Sequence, residues 1–332
     1  MHREPVVAIT GASAGVGRAT ALAFAARGAR IGLIARDKDA LDHVRAEIER
    51  IGGRALVLPA DVADPQAVFD AAGRIEDEIG PIDVWVNSAM ATVFALAWQL
   101  TPEELKRVTE VTYLGGAYGA MAALEHMRPR NRGVIVQVGS ALAYRSIPAQ
   151  SAYCGAKAAI RGFLDSVRTE LMREGSGVRV TMVHLPAVNT PQFDWARCHL
   201  PERPRPVAPV YQPEDIARHI VRAAEHPKRE YWIANSTRIA ILGTLAAPGI
   251  ADRYVAGSVV EGQQTGEPIE PGRRDNLYET VPGLHRTRGR FTAEAKPAPV
   301  PMAGSMVRGA LALAGLSVLA LGMTAIARTA RD

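Results

Sequence analysis

The chain has 332 residues and a formal charge of +5, from 39 basic and 34 acidic side chains, a length that suits one large domain with a smaller appendage. The small basic excess, with no long basic block and no aromatic residues interleaved with Arg or Lys, gives no nucleic-acid-binding signature. Two cysteines exclude a disulfide scaffold, and eight histidines without ligand spacing offer no metal site.

His2, Arg3, Glu4 and Pro5 lead straight into an apolar run with no export signal, so the catalytic part is expected in the cytoplasm. Over residues 1–250, short Val- and Ile-rich runs alternate with longer periodic stretches. Strands are predicted at Val6–Thr10, Arg30–Ala35, Ala55–Pro59, Val84–Asn87, Val134–Gly139, Val178–Leu185 and Tyr231–Ala234. Helices are predicted at Gly17–Ala26, Lys38–Ile51, Pro65–Glu78, Pro102–Met127, Ala152–Arg173 and Pro213–Ala224. The strand runs are apolar without strict alternation, which fits strands covered on both faces. The fold class is therefore α/β, a doubly wound Rossmann-type domain.

Prolines at 201, 204, 206, 209 and 213 rule out regular structure between Pro201 and Pro213. This stretch follows the sixth strand, at the sheet edge where open α/β folds bind ligands, and is either a lid or a plain surface excursion. Residues 251–302 are polar and rich in Gly and Pro and predict an irregular extension or linker. Residues 303–332 predict a hydrophobic helix, because Gly309–Ala327 runs for 19 residues without a charge. Such a helix would span roughly 28 Å, close to a bilayer's hydrocarbon core. Its apolar residues go all round, so a membrane anchor is expected, a buried helix at a dimer contact being the other reading.

The first strand ends in Thr10-Gly11-Ala12-Ser13-Ala14-Gly15-Val16-Gly17, and a helix follows at once. Glycines let this backbone turn sharply and admit a phosphate-bearing ligand to the amides at the helix start. Gly11, Ser13, Ala14, Gly15, Val16 and Gly17 are thus candidate dinucleotide contacts. After the second strand come Ala35 and Arg36, where a carboxylate would favour NAD; an arginine there can pair with a 2′-phosphate, so NADP is expected. Asp37 can turn away as the first residue of a helix.

Tyr153 and Lys157 stand four apart on one helix face, and Ser140 ends the preceding strand. An ammonium near a phenol favours its ionised form and brings it toward the working range of a general acid or base. A serine hydroxyl can hold the substrate oxygen during hydride transfer.

These residues, the glycine turn followed by Ser140 and then Tyr153-Cys154-Gly155-Ala156-Lys157, resemble the short-chain dehydrogenase/reductase family over about residues 5–250. The resemblance implies a seven-stranded parallel sheet, reversible oxidation of an alcohol to a carbonyl, and a homodimer or homotetramer. It also implies that Asp61 and Val62 lie beside the adenine, that Tyr153 is the general acid/base, and that Lys157 binds the nicotinamide ribose. Three departures stand out. The family's Asn-Asn-Ala-Gly is Asn87-Ser88-Ala89-Met90, so Asn87 and Ala89 match while Met90 replaces a glycine. Thr112 occupies the place of the Asn that helps hold a relay water. The Pro-Gly after the sixth strand is Pro186-Ala187, with Val188, Asn189 and Thr190 continuing the match and Thr190 placed near the carboxamide. Cys154, beside Tyr153, is read as filling space.

The substrate pocket is expected at Met90, Leu142, Tyr144, Ile147, Gln150 and Phe193, with Trp98 nearby. That set is mostly apolar, with Gln150 and the Tyr144 hydroxyl as polar handles, and implies a hydrophobic alcohol or carbonyl substrate. Two other classes stay open: an NADP(H)-binding regulatory protein with little turnover, and a membrane scaffold.

Overall fold

The computed structural model describes residues 4–299, 301–307 and 309. In it the apolar runs form a central sheet of β1 (Val6–Thr10), β2 (Arg30–Ala35), β3 (Arg54–Pro59), β4 (Ile82–Asn87), β5 (Val134–Ser140), β6 (Arg179–Leu185), β7 (Glu230–Trp232) and β8 (Met302–Ala303). The strand order is β8-β7-β6-β5-β4-β1-β2-β3. Seven strands run parallel, and β1 lies between β2 and β4. The direction of winding reverses there, which opens a crevice at the C-terminal ends of β1 and β4.

Helices cover both faces because each presents one apolar stripe to the sheet. On one face α1 (Gly15–Ala25), α2 (Lys38–Arg50) and α7 (Pro213–Glu225) bury residues such as Phe24, Val44 and Ile216 against Ile9, Leu33 and Val86. On the other, α3 (Pro65–Glu78), α5 (Gly115–Met127) and α6 (Ser151–Arg173) bury Ile75, Ala120 and Ile160 against Trp85 and Ile135. The stretch expected as one helix, Pro102–Met127, is α4 (Pro102–Thr109) joined to α5 through a π-helical turn at Glu110–Leu114. The start of α4 is fixed by a capping box between Thr101 and Glu104.

The sheet and the C-terminal region differ from expectation. The sheet is mixed, not seven parallel strands: β8 adds an antiparallel edge, with Ala303 opposite Tyr231 and Met302 opposite Trp232. A two-residue strand is too short to show any periodicity in sequence, yet it pairs with an otherwise open edge, and Val307 packs on Trp232 beyond it. Nor is the extension irregular throughout: α8 (Ala234–Ala246) precedes it, α9 (Pro248–Gly262) runs into it, and a strand, Gln264–Pro268, pairs antiparallel with Glu202–Pro204. Pro248 sits at the first turn of α9, where its missing N–H costs nothing, and Val255 and Val259 bury one turn apart. Those helix signals were masked by a polar, glycine-rich composition.

No helix among the described residues is long and apolar enough to cross a membrane. The expected terminal hydrophobic helix, the membrane attachment and the membrane-anchored localisation are corrected accordingly. The start of the segment expected as that helix is instead bound into the catalytic domain's own sheet and core through Ala303 and Val307. Of Gly309–Ala327, only Gly309 lies among the described residues.

Candidate active site

The turn after β1 depends on missing side chains. Gly11 has φ +70°, and a Cβ on it would lie 2.8 Å from the Ala89 backbone; a Cβ on Gly17 would lie 2.1 Å from the Gly11 carbonyl oxygen. Backbone therefore packs on backbone, and α1 begins directly at the sheet edge. Thr10 Oγ1 accepts from Ser88 N at 3.1 Å and Ala89 N at 3.2 Å, which stitches this turn to the loop after β4. The six residues of the glycine turn expected to meet the dinucleotide all line one cavity of 830 Å³, together with Ala89, Met90 and the Pro186, Val188 and Thr190 segment. A space bounded by glycines and by the start of α1 fits a pyrophosphate.

At the adenosine end the cavity is lined by Ala35, Arg36, Asp61 and Val62. Asp37 is the N-cap of α2 and accepts from Ala40 N, so its carboxylate is turned into the helix start. Arg36 does not point freely into the cavity. Its guanidinium donates to the Tyr278 carbonyl at 2.8 Å and the Asn276 carbonyl at 2.5 Å, and burial lowers its pKa. Arg107 donates to the Leu277 carbonyl at 2.9 Å and pairs with Asp61. Farther along, Gly15 N donates to the Arg286 carbonyl at 3.0 Å, and Arg18 donates to the His285 carbonyl at 2.8 Å. Asn276, Leu277, Thr280, Val281 and His285 consequently join the cavity wall. Sequence reasoning missed them because a loop that crosses over two other elements has no periodicity, and the Asn-Leu anchor at 276–277 gives no recognisable signal.

Ser140, Tyr153 and Lys157 meet on the wall of the same cavity. Ser140 ends β5, and its Oγ accepts from Leu142 N at 3.1 Å, which fixes the hydroxyl as the chain turns. Lys157 is 2 % exposed and donates to the Val138 carbonyl at 2.8 Å, with Nζ 5.6 Å from the centre of the Tyr153 ring. Desolvation pushes the Lys157 ammonium down to about 8. Desolvation also pushes the Tyr153 phenol above its usual pKa, the hydrogen bond with Ser140 opposing it. Burial governs this group in place of the lowering expected from the neighbouring ammonium, and the phenol stays protonated at neutral pH.

On the substrate side Met90, Leu142, Ile147, Gln150 and Phe193 line the cavity, with Arg205–Pro209 of the proline-rich stretch forming part of its wall. Tyr144 and Trp98 do not. Tyr144 Oη donates to Glu230 Oε2 at 2.6 Å, and burial with that carboxylate raises its pKa to about 12. Trp98 is 82 % exposed. Gln150 Nε2 donates to Gln263 Oε1 at 2.7 Å, so both expected polar handles are engaged within the protein.

Residues 5–197 match the family model described as short chain dehydrogenase. The chain belongs to the short-chain dehydrogenase/reductase family. It is an NAD(P)(H)-dependent oxidoreductase of that family. A Bacillus subtilis protein described as the uncharacterized oxidoreductase YxnA is 33% identical over 306 residues, covering 89% of this chain and 86% of its own. The fatty acyl-CoA reductase of Acinetobacter baylyi is 29% identical over 68% of this chain and 74% of its own. Among solved structures, an alcohol dehydrogenase from the archaeon Thermococcus sibiricus, complexed with 5-hydroxy-NADP, superimposes with a TM-score of 0.60 at 26% identity. It covers 69% of this chain and 96% of its own.

Within this dehydrogenase fold, two motif positions lie behind the cavity wall. Asn87 is buried, donating to the Gly116 carbonyl at 2.8 Å and accepting from Trp85 Nε1 at 2.7 Å. Thr112 sits in the π-helical turn, the kind of irregularity that gathers at functional sites. Its hydroxyl donates to the Ala91 carbonyl and accepts from Ala91 N, both at 2.9 Å. That reciprocal pair uses the hydroxyl's single proton and holds the loop that carries Met90. Cys154 is buried, and desolvation raises its thiol pKa, so it fills space away from the cavity. Among the described residues no group of His, Cys, Asp and Glu could hold a metal ion.

Replacing Thr112 with the near-isosteric Val should destabilise the fold by about 1–3 kcal/mol for each Ala91 backbone group left unpaired. Urea unfolding measures this, and an unchanged midpoint would refute the clamp. Lys157 gives a second prediction. Folded, it loses its proton near 8, whereas unfolded it keeps it to 10.5, so between these values the unfolded chain binds more protons. This group's contribution must then make the native state more stable as pH rises through that window. The stability difference between the native protein and Lys157→Met, followed by urea unfolding across it, should climb with pH; a flat difference would contradict the burial of the charge.

Proposed function

We propose that the enzyme interconverts a hydrophobic alcohol and its carbonyl compound with NADP(H), using Tyr153 as general acid/base and Ser140 and Lys157 in support. The observation that carries this reading is that the three side chains share one cavity wall with the glycine turn of α1. Bound NADP(H) supplies or takes up the hydride. Ser140 holds the substrate oxygen with its hydroxyl, already oriented by Leu142 N. Tyr153, kept protonated by burial, gives its proton to that oxygen as the alcohol forms and takes it back in the reverse direction. Lys157 places positive charge beside the phenol and next to the ribose position, where it lowers the cost of the negative charge that develops as the proton leaves.

Arg36 offers its charge to a 2′-phosphate while its fork is steadied by the 276–278 carbonyls. Asp37, which also lines the cavity, has its carboxylate occupied by Ala40 N at the start of α2 and by His285, which offsets the repulsion a free carboxylate would exert there. Leu142, Ile147 and Phe193 supply an apolar wall for the substrate, and the similarity to a protein named as a fatty acyl-CoA reductase supports a hydrophobic substrate.

Tyr153→Phe should lower turnover by about 10²-fold or more with NADPH affinity nearly unchanged, the scale of losing a placed general acid. Single-turnover NADPH oxidation measures it, and a normal rate would overturn the mechanism. Titrating NADPH and NADH should show tighter binding of NADPH. Arg36→Ala should remove most of that preference and also loosen residues 276–278, seen as faster amide exchange at Leu277; equal binding of both cofactors to the native protein would refute the assignment.

A further inference from the structure

The cavity continues past the catalytic groups into an arm between α8 and α9 that the proposed reaction does not use. Ala240, Gly243 and Ala247 of α8 line it at helical spacing, and Ala251, Val255 and Val259 of α9 face them. The second helix, α9, is tied to the loop after β5 through Arg145 on Asp252 at 2.5 Å and, just past its C-terminus, Gln150 on Gln263 at 2.7 Å. The arm therefore belongs to the same wall as Leu142 and Ile147. No charged side chain of α8 or α9 lines it, and from Thr237 to Ala247 it runs roughly 15 Å along α8 at the helical rise.

Two hydroxyls at the start of the arm, those of Ser236 and Thr237, have no hydrogen-bond partner, and Thr237 is the more deeply buried of the two. Thr237 lines the cavity and is 0 % exposed, yet its hydroxyl has no hydrogen-bond partner. A buried hydroxyl left unpaired is costly and calls for a partner. Gln150 is already engaged by Gln263, so the unpartnered hydroxyls of Thr237 and its neighbour Ser236 are the ones this part of the cavity offers a ligand, Thr237 being the one fully enclosed. Gly243 adds a second indication of space: a Cβ built on it meets nothing within 4 Å.

We infer that the arm binds a straight aliphatic chain carrying a second oxygen function besides the reacting carbonyl, with Thr237 donating to that oxygen and α8 and α9 enclosing the chain. This rests on the reading of the cavity as the substrate pocket and names the class of substrate it takes. A groove walled by Ala, Gly and Val between two helices matches a slender chain, and its neutrality matches an uncharged tail.

The test uses the full-length enzyme loaded with NADP and a series of β-keto esters whose straight alkyl tails lengthen from methyl to undecyl. Calorimetry reads binding, and NADPH oxidation is recorded separately, so that failure of turnover alone would count against the proposed reaction and not against the arm. In the native enzyme Kd should fall as the tail lengthens. Gly243→Leu removes a glycine from a helix interior at a position where a Cβ meets nothing within 4 Å, so the variant should melt no lower than the native protein. Its side chain should occupy the arm and weaken the longest ester relative to the shortest by about 10-fold or more, the scale of two buried methylenes. Thr237→Val, which keeps the shape, should weaken every ester by about 3–10-fold, the scale of one hydrogen bond. Length-independent Kd in the native enzyme, equal weakening of short and long esters by Gly243→Leu, or unchanged binding in Thr237→Val would each overturn the inference.

Discussion

The ammonium of Lys157 is carried out of water to the place where α6 meets the end of β5, and there it donates to the Val138 carbonyl at 2.8 Å. Removing a charge from water is expensive, and the depressed pKa of about 8 records that cost. The contact repays it by locking helix to strand. Tyr153 lies one turn before Lys157 and Ser140 two residues after Val138, so a single bond fixes the register between the Tyr153 phenol and the Ser140 hydroxyl. Loss of this joint would leave both residues present and their relation undefined. Burial then sets their chemistry, a protonated phenol beside a cation with a reduced hold on its own proton.

The nucleotide side is built by a different device. The close approach of Gly17 to Gly11 gives the turn, but its outer wall comes from a distant part of the chain. Arg36 and Arg107 hold the carbonyls of residues 276–278, while Gly15 and Arg18 hold those of 285 and 286. Guanidinium groups suit this task, since one planar fork can satisfy several carbonyls that a crossing loop would otherwise leave unpaired. Leu277, 1 % exposed, anchors the segment in the core. The dehydrogenase domain thus closes its cofactor cleft with residues beyond the part that matches the family model at 5–197.

What could be read from the sequence was local. Val6–Thr10 and Arg30–Ala35 form strands with the expected bounds because runs of β-branched and apolar residues bury on both faces. The glycine turn and the four-residue step from Tyr153 to Lys157 are likewise short-range patterns, and both lie on the cavity. The partners of polar side chains were not legible. Tyr144 reads as a substrate contact until Glu230, 86 residues later, is seen accepting its hydrogen bond. Thr112 reads as a substitute in a proton relay until Ala91 claims both functions of its hydroxyl. The C-terminal region was obscured by its composition, since stability there comes from docking α8, α9 and β8 on the domain and not from the propensity of their residues.

The central claim is that hydride moves between the nicotinamide and a carbonyl carbon held at Ser140 and Tyr153. It is tested most directly with NADPH carrying deuterium at the transferable position, incubated with straight-chain aldehydes and β-keto esters and followed by mass spectrometry of the alcohols formed. The account predicts one deuterium per product molecule, bound to the carbinol carbon. Alcohol formed without deuterium, or NADPH consumed without any alcohol appearing, would contradict it.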